Sequence, residues 1–235
     1  TSDAQGNTVA GTSAGASFSG TDAVGNTLVG RNSGNLISTG DNNTSIGYYS
    51  LDVTTTGSGN TAIGKGTLGS NTTASNNTAV GTDSLISNTT GTQNVAVGAF
   101  ALDANTTASN NTAIGYESLT ANTTGTANVA VGRRALHVST TGDRNISIGQ
   151  GSLESSTTAS DNVAVGNGSM GYNTTGANNT AVGSAALEQN TTGNRNIAVG
   201  DDALKANTTG FDNVAVGSSS FDANTTGTNS VAVGS

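Results

Sequence analysis

An all-β solenoid, or β-roll, with one 17-residue coil per repeat is the fold this sequence predicts, on three observations. Asparagine returns every seventeen residues, at 26, 43, 60, 77, 94, 111, 128, 145, 162, 179, 196 and 213, with Ser230 closing the series. A glycine stands four residues after each of them, from Gly30 through Gly64, Gly81, Gly98, Gly115 and Gly132 to Gly234. The 235 residues are 32% hydrophobic and 9% charged, with 34 glycines and no proline, cysteine or tryptophan, which leaves too little apolar side chain for a thick core.

The elements follow in order along one coil, counting the asparagine as position 0. Positions 1 to 3 read as a short strand, as in Thr61-Ala62-Ile63, because Thr, Val and Ile suit strands and are poor helix formers. Nothing recurs at helical spacing. Position 3 is a β-branched aliphatic without exception, and position 2 is nearly always alanine. The glycine at position 4 marks a corner that needs a positive φ or a close backbone approach. A small residue at position 7 and a large apolar one at position 8 follow, then a threonine pair such as Thr72-Thr73 and a glycine or alanine. These last positions read as corners.

Alternation along the strand puts Thr61 and Ile63 on one face and Ala62 on the other. The expected core therefore stacks Ile63, Val80, Val97 and Ile114 with Leu68, Leu85, Leu102 and Leu119. The small column Ala62, Ala79 and Ala96 is expected to form a second, close-packing face. The column Asn60, Asn77, Asn94, Asn111 and Asn128 has two readings. It is either a ladder of stacked amides or a set of residues chosen for tolerance of left-handed turn geometry. Each coil offers little to bury alone, so it must stack on its neighbours, and self-association of whole chains is expected as well.

Two regions are expected. Residues 1–25 form an irregular segment with one degenerate repeat, Asn7-Thr8-Val9-Ala10-Gly11, nineteen residues before Asn26. Residues 26–235 form twelve repeats and the start of a thirteenth, with no insertion or deletion.

The strings Asn-Thr-Ala-Ile-Gly and Asn-Val-Ala-Val-Gly resemble the core motif of YadA-like head domains in trimeric autotransporter adhesins. The longer unit Asn111-Thr112-Ala113-Ile114-Gly115-Tyr116-Glu117-Ser118-Leu119, with Asn122-Thr123-Thr124-Gly125, is similar to repeats of phage tail-fibre and related surface proteins that often end in an endosialidase-type chaperone. The resemblance covers residues 26–235. It implies a left-handed β-roll, a parallel homotrimer, an extracellular, cell-surface or virion location, and a role as fibre shaft or adhesive head.

Catalytic constellations are scarce. The single histidine, His137, follows Leu136 at a position that elsewhere holds Asp52, Ile86, Asp103, Thr120, Glu154 or Lys205, which marks it as solvent-facing. Carboxylates are scattered over the corners rather than paired across a cleft. The Gly-Gly-x-Gly-x-Asp unit of calcium-binding rolls is absent. The absence of cysteine excludes disulfides and thiol chemistry. A net charge of −8 disfavours nucleic acid, and no run of eighteen apolar residues suggests membrane insertion. No cofactor or metal is expected.

Among the aromatics, Tyr48, Tyr116 and Phe100 lie near the glycine corner, where exposed rings stack on sugars. Asn-Thr-Thr is formally a glycosylation sequon at Asn71, Asn88, Asn105, Asn122, Asn173, Asn190, Asn207 and Asn224, but its recurrence reads as a structural turn. The function expected is a non-enzymatic structural or adhesive fibre module that presents or spaces a binding surface for a host-surface or glycan receptor. The alternative is an ice- or crystal-binding solenoid using a threonine ladder.

Overall fold

The computed structural model describes residues 3–18 and 22–235 and divides into two units, Thr1–Tyr116 and Glu117–Ser235. The parts of the expected irregular segment at 1–2 and 19–21 lie outside the described residues. The first unit carries β1 (Thr8–Ala10), β2 (Thr27–Val29), β3 (Thr44–Ile46), β4 (Thr61–Ile63), β5 (Thr78–Val80), β6 (Val95–Val97) and β7 (Thr112–Ile114). The second carries β8 (Val129–Val131), β9 (Ile146–Ile148), β10 (Val163–Val165), β11 (Thr180–Val182), β12 (Ile197–Val199), β13 (Val214–Val216) and β14 (Val231–Val233). Among the described residues there is no helix.

Within each unit consecutive strands pair in parallel and in register. Ala62 faces Ala79 and Ile63 faces Val80 in the first unit, and Ala164 faces Ala181 in the second. Each coil is thus one turn of a parallel β-solenoid, and backbone bonding continues outside the strands. Leu68 N donates to Ser84 O at 3.1 Å and Leu85 N to Ala101 O at 3.1 Å, one coil on. The degenerate first repeat joins this scheme, since β1 pairs with β2 and Asn26 N donates to Asn7 Oδ1 at 2.8 Å. Asn7 Nδ2 donates to Ala23 O at 2.8 Å, as Asn60 Nδ2 donates to Ala74 O at 2.9 Å.

The corners are made by left-handed residues. Positions 6, 8 and 16 have φ near +55°, as at Asp83 (56°), Leu85 (50°) and Gln93 (59°). The glycine at position 4 has an even more restricted conformation, φ +135° at Gly98, and a Cβ there would lie 2.5 Å from Gly115 O. Only glycine fits, because the coils approach backbone to backbone.

The strand faces opposite to the sequence expectation. Ala62, Ala79, Ala96 and Ala113 are completely buried, whereas Ile63 and Ile114 are exposed (37% and 39%) and Val80 and Val97 half-buried. Ile63, Val80, Val97 and Ile114 are therefore not core residues, and the alanine column is not an outer packing face. The interior is lined by position 2 and by Leu68, Leu85, Leu102 and Leu119, all fully buried.

The cause is cross-section. Only one of positions 2 and 8 can hold a large side chain in a given coil. In the coil starting at Asn26 the sizes are exchanged: Leu28 occupies position 2, fully buried, and position 8 is Gly34, where a Cβ would lie 2.7 Å from Leu28 Cδ2. A β-branched residue facing inward beside every leucine would overfill the same space.

Candidate functional site

Two asparagine columns run inside each unit. In the first column the position-0 amide accepts twice from the next coil. Asn60 N and Nδ2 donate to Asn43 Oδ1 at 3.0 and 3.1 Å, while Asn60 Nδ2 also donates to Ala74 O at 2.9 Å. Asn77, Asn94 and Asn111 continue the column through their backbone N–H groups at 2.9–3.0 Å, and Asn128 accepts from Asn145 in the second unit at 3.0 Å. These asparagines are buried and none has a positive φ; the left-handed residue is the one before, at position 16. A ladder, not turn tolerance, explains the residue type.

The second column, at position 11, contains the sequon asparagines. Asn88 Nδ2 donates to Asn71 Oδ1 at 3.1 Å and to Gly91 O at 3.0 Å, and Asn190 repeats the pattern with Asn173 and Gly193. Asn71, Asn88, Asn105, Asn122, Asn173, Asn190 and Asn207 are completely buried, so in the folded chain no sugar can be attached to them.

The threonine pair splits. The first hydroxyl donates to the next coil, Thr72 Oγ1 to Thr89 O at 3.1 Å and Thr191 Oγ1 to Thr208 O at 3.0 Å. The second, as at Thr73 and Thr90, is exposed. One outward hydroxyl column remains on this side of the coil.

The outward faces of the strands carry Thr, Val and Ile, with Ala10 in β1, and no charged residue in any of the fourteen. All 15 acidic and 7 basic residues lie elsewhere. Several of them pair between coils: Arg144 holds Asp161 through Nε–Oδ1 at 2.6 Å and Nη2–Oδ2 at 2.9 Å, and Arg195 holds Asp212 in the same way. These hydrogen bonds draw Asp161 and Asp212 below the ordinary aspartate value. Asp52 moves the other way, raised by burial.

Tyr48, Tyr116 and Phe100 are exposed. Phe100 and Tyr116 meet edge to face with centroids 6.2 Å apart, and Arg31 lies 5.7 Å over Tyr48. They form two small aromatic clusters, Tyr48 with Tyr49 and Phe100 with Tyr116. His137 is half-buried, its Nδ1 3.3 Å from Glu117 O. Among the described residues no group of three His, Asp or Glu is placed to hold a metal ion.

The second unit has a surface groove of about 540 Å³ that sequence reasoning missed. Positions 6 and 9 hold side chains in most coils, but two neighbouring coils have Gly151, Gly168 and Gly171 there. Arg133, Arg134 and His137 border the groove on one side, and Tyr172 and Glu188 on the other. The signal was present, since two adjacent coils lose their corner side chains together, but it required placing successive coils side by side. No model of a known protein family matches the chain, and no curated protein matches it.

Proposed function

We propose that this chain is a non-enzymatic structural and adhesive fibre module. In this reading several copies, three in parallel, pack through the outward faces of their strands, and the variable corners present a binding surface outside the cell or on a virion. One observation carries the reading: the exposed strand face holds Val29, Ile46, Ile63 and Ile114 in the first unit and Ile146, Ile148, Val182 and Val199 in the second, with no charge among them. An uncharged apolar face repeated in every coil marks an interaction surface. Its natural occupant is a second copy in the same register, because only an identical 17-residue repeat matches it coil for coil. The resemblance to adhesin heads and tail-fibre repeats supports the number three and left-handed winding.

Sedimentation equilibrium tests this. The expected mass is three times 22.8 kDa, falling to a single chain that keeps its β-sheet spectrum when Ile146→Lys and Ile148→Lys are combined. A stable folded monomer of the unaltered chain would sink the proposal, and an unchanged trimer in the double variant would remove this face from it.

A further inference from the structure

We propose that the groove of the second unit is a binding site for an acidic saccharide, a sugar chain bearing carboxylates. This goes beyond the fibre reading, because the groove lies within one chain and would bind whether or not copies associate.

Its volume, about 540 Å³, is that of a small-molecule cleft. Its floor is backbone. A Cβ on Gly168 would meet nothing within 4 Å, and one on Gly171 nothing nearer than Gly168 O at 3.1 Å. A flat ligand can therefore approach the main chain closely.

Its rim divides the recognition chemistry. Tyr172 is 53% exposed and offers a ring face on which the C–H face of a pyranose can stack. Arg133 is exposed at the rim and forms no ion pair among the described residues. Its neighbour Arg134 is engaged, 2.9 Å from Glu154 and 3.5 Å from Glu117. The unpaired guanidinium of Arg133 is thus the group available to a carboxylate, in the two-pronged geometry that arginine favours. Gln150 and Asn167, both exposed, bring amides to the same rim for sugar hydroxyls. Glu154 and Glu188 also line the groove, which suits a hydroxyl-rich ligand with spaced negative charge better than a dense polyanion.

Calorimetric titration of the full chain with tetragalacturonate tests the assignment, with maltotetraose as the neutral arm and sodium acetate as the ionic arm. One saturable site per chain is expected for tetragalacturonate. Arg133→Gln should weaken it about tenfold or more, the loss of one charge-assisted contact. Maltotetraose binding should be weaker and indifferent to that change. Tyr172→Ala should weaken both sugars. Gly171→Gln keeps Arg133 and Tyr172 and restores the bulk that neighbouring coils carry at this position; it should abolish binding while leaving the melting temperature in place. The assignment fails if tetragalacturonate gives no saturable signal at about 10 mM. It also fails if acetate competes as well as the sugar, or if Gly171→Gln binds like the unaltered chain.

Discussion

Leu85 adopts φ +50°, a left-handed conformation that costs an L-residue about 1–2 kcal/mol. Leu51, Leu68, Leu102, Leu119, Leu136, Leu153, Leu187 and Leu204 do the same, and Met170 with them. Each is completely buried, and burial of a leucine stabilises by about 1.5–3 kcal/mol, so the side chain holds a backbone conformation it would otherwise avoid. The position-11 asparagine column shows the converse, a site where the residue type is locally wrong. Ser139 and Ser156 interrupt it, and their buried hydroxyls have no hydrogen-bond partner. An asparagine at 139 would find what Asn88 and Asn190 find, the carbonyl three residues on and the amide of the coil before. Ser139→Asn with Ser156→Asn is therefore expected to raise stability by about 1 kcal/mol per site, or a few degrees in Tm. Thermal melts followed by circular dichroism check it, and a lowered Tm would show that the serines serve the local backbone instead.

At the scale of one coil, the repeat length, the glycine corner, the inward leucine and the asparagine column were legible in the sequence because each is a periodic demand made by stacking itself. The facing of the strand was not. Three residues with a period of two permit either face inward, and hydrophobicity alone favours Ile63 over Ala62. What decides is interior volume, and the coils that pair Leu28 with Gly34 and Val9 with Gly15 write that constraint in the chain. The groove went unread for a related reason, since its signal, the shared loss of corner side chains at Gly151, Gly168 and Gly171, shows only when successive coils are set side by side. Ion pairs between coils also carry a pH signature. Arg144 and Arg195 depress Asp161 and Asp212, so these carboxylates stabilise the fold above the ordinary aspartate value of 3.8. That contribution is lost as pH falls through their lowered folded-state values. Asp52, raised by burial, works in the opposite sense and favours the protonated fold. The comparison that isolates the pairs is Asp161→Asn with Asp212→Asn against the unaltered chain. Tm should differ at pH 6, with the unaltered chain higher, and the two curves should converge toward pH 2. Parallel curves would mean the pairs contribute nothing.

At the largest scale the decisive property is that, within each unit, coils contact their sequence neighbours in a repeating register, so stability is a sum of coil and coil-to-coil contributions. A compact domain cannot lose an internal segment without losing its core, but a solenoid can lose one whole period. Removing residues 77–93 takes out one complete coil of the first unit and brings Asn94 to the place of Asn77. Asn94 N then donates to Asn60 Oδ1 as Asn77 N does at 3.0 Å, Val97 takes the register of Val80 on Ile63, and Leu102 follows Leu68. No glycine corner moves out of line. Removing residues 77–85 instead leaves a half-coil, throws Asn94 out of the ladder and brings the Gly98 corner against residues with side chains, where a Cβ cannot fit. The 17-residue deletion is expected to keep the β-sheet spectrum and melt cooperatively within several degrees of the parent, while the nine-residue deletion loses cooperative melting. Equal damage from both deletions would mean that distant coils depend on one another in ways a stack of neighbours does not allow.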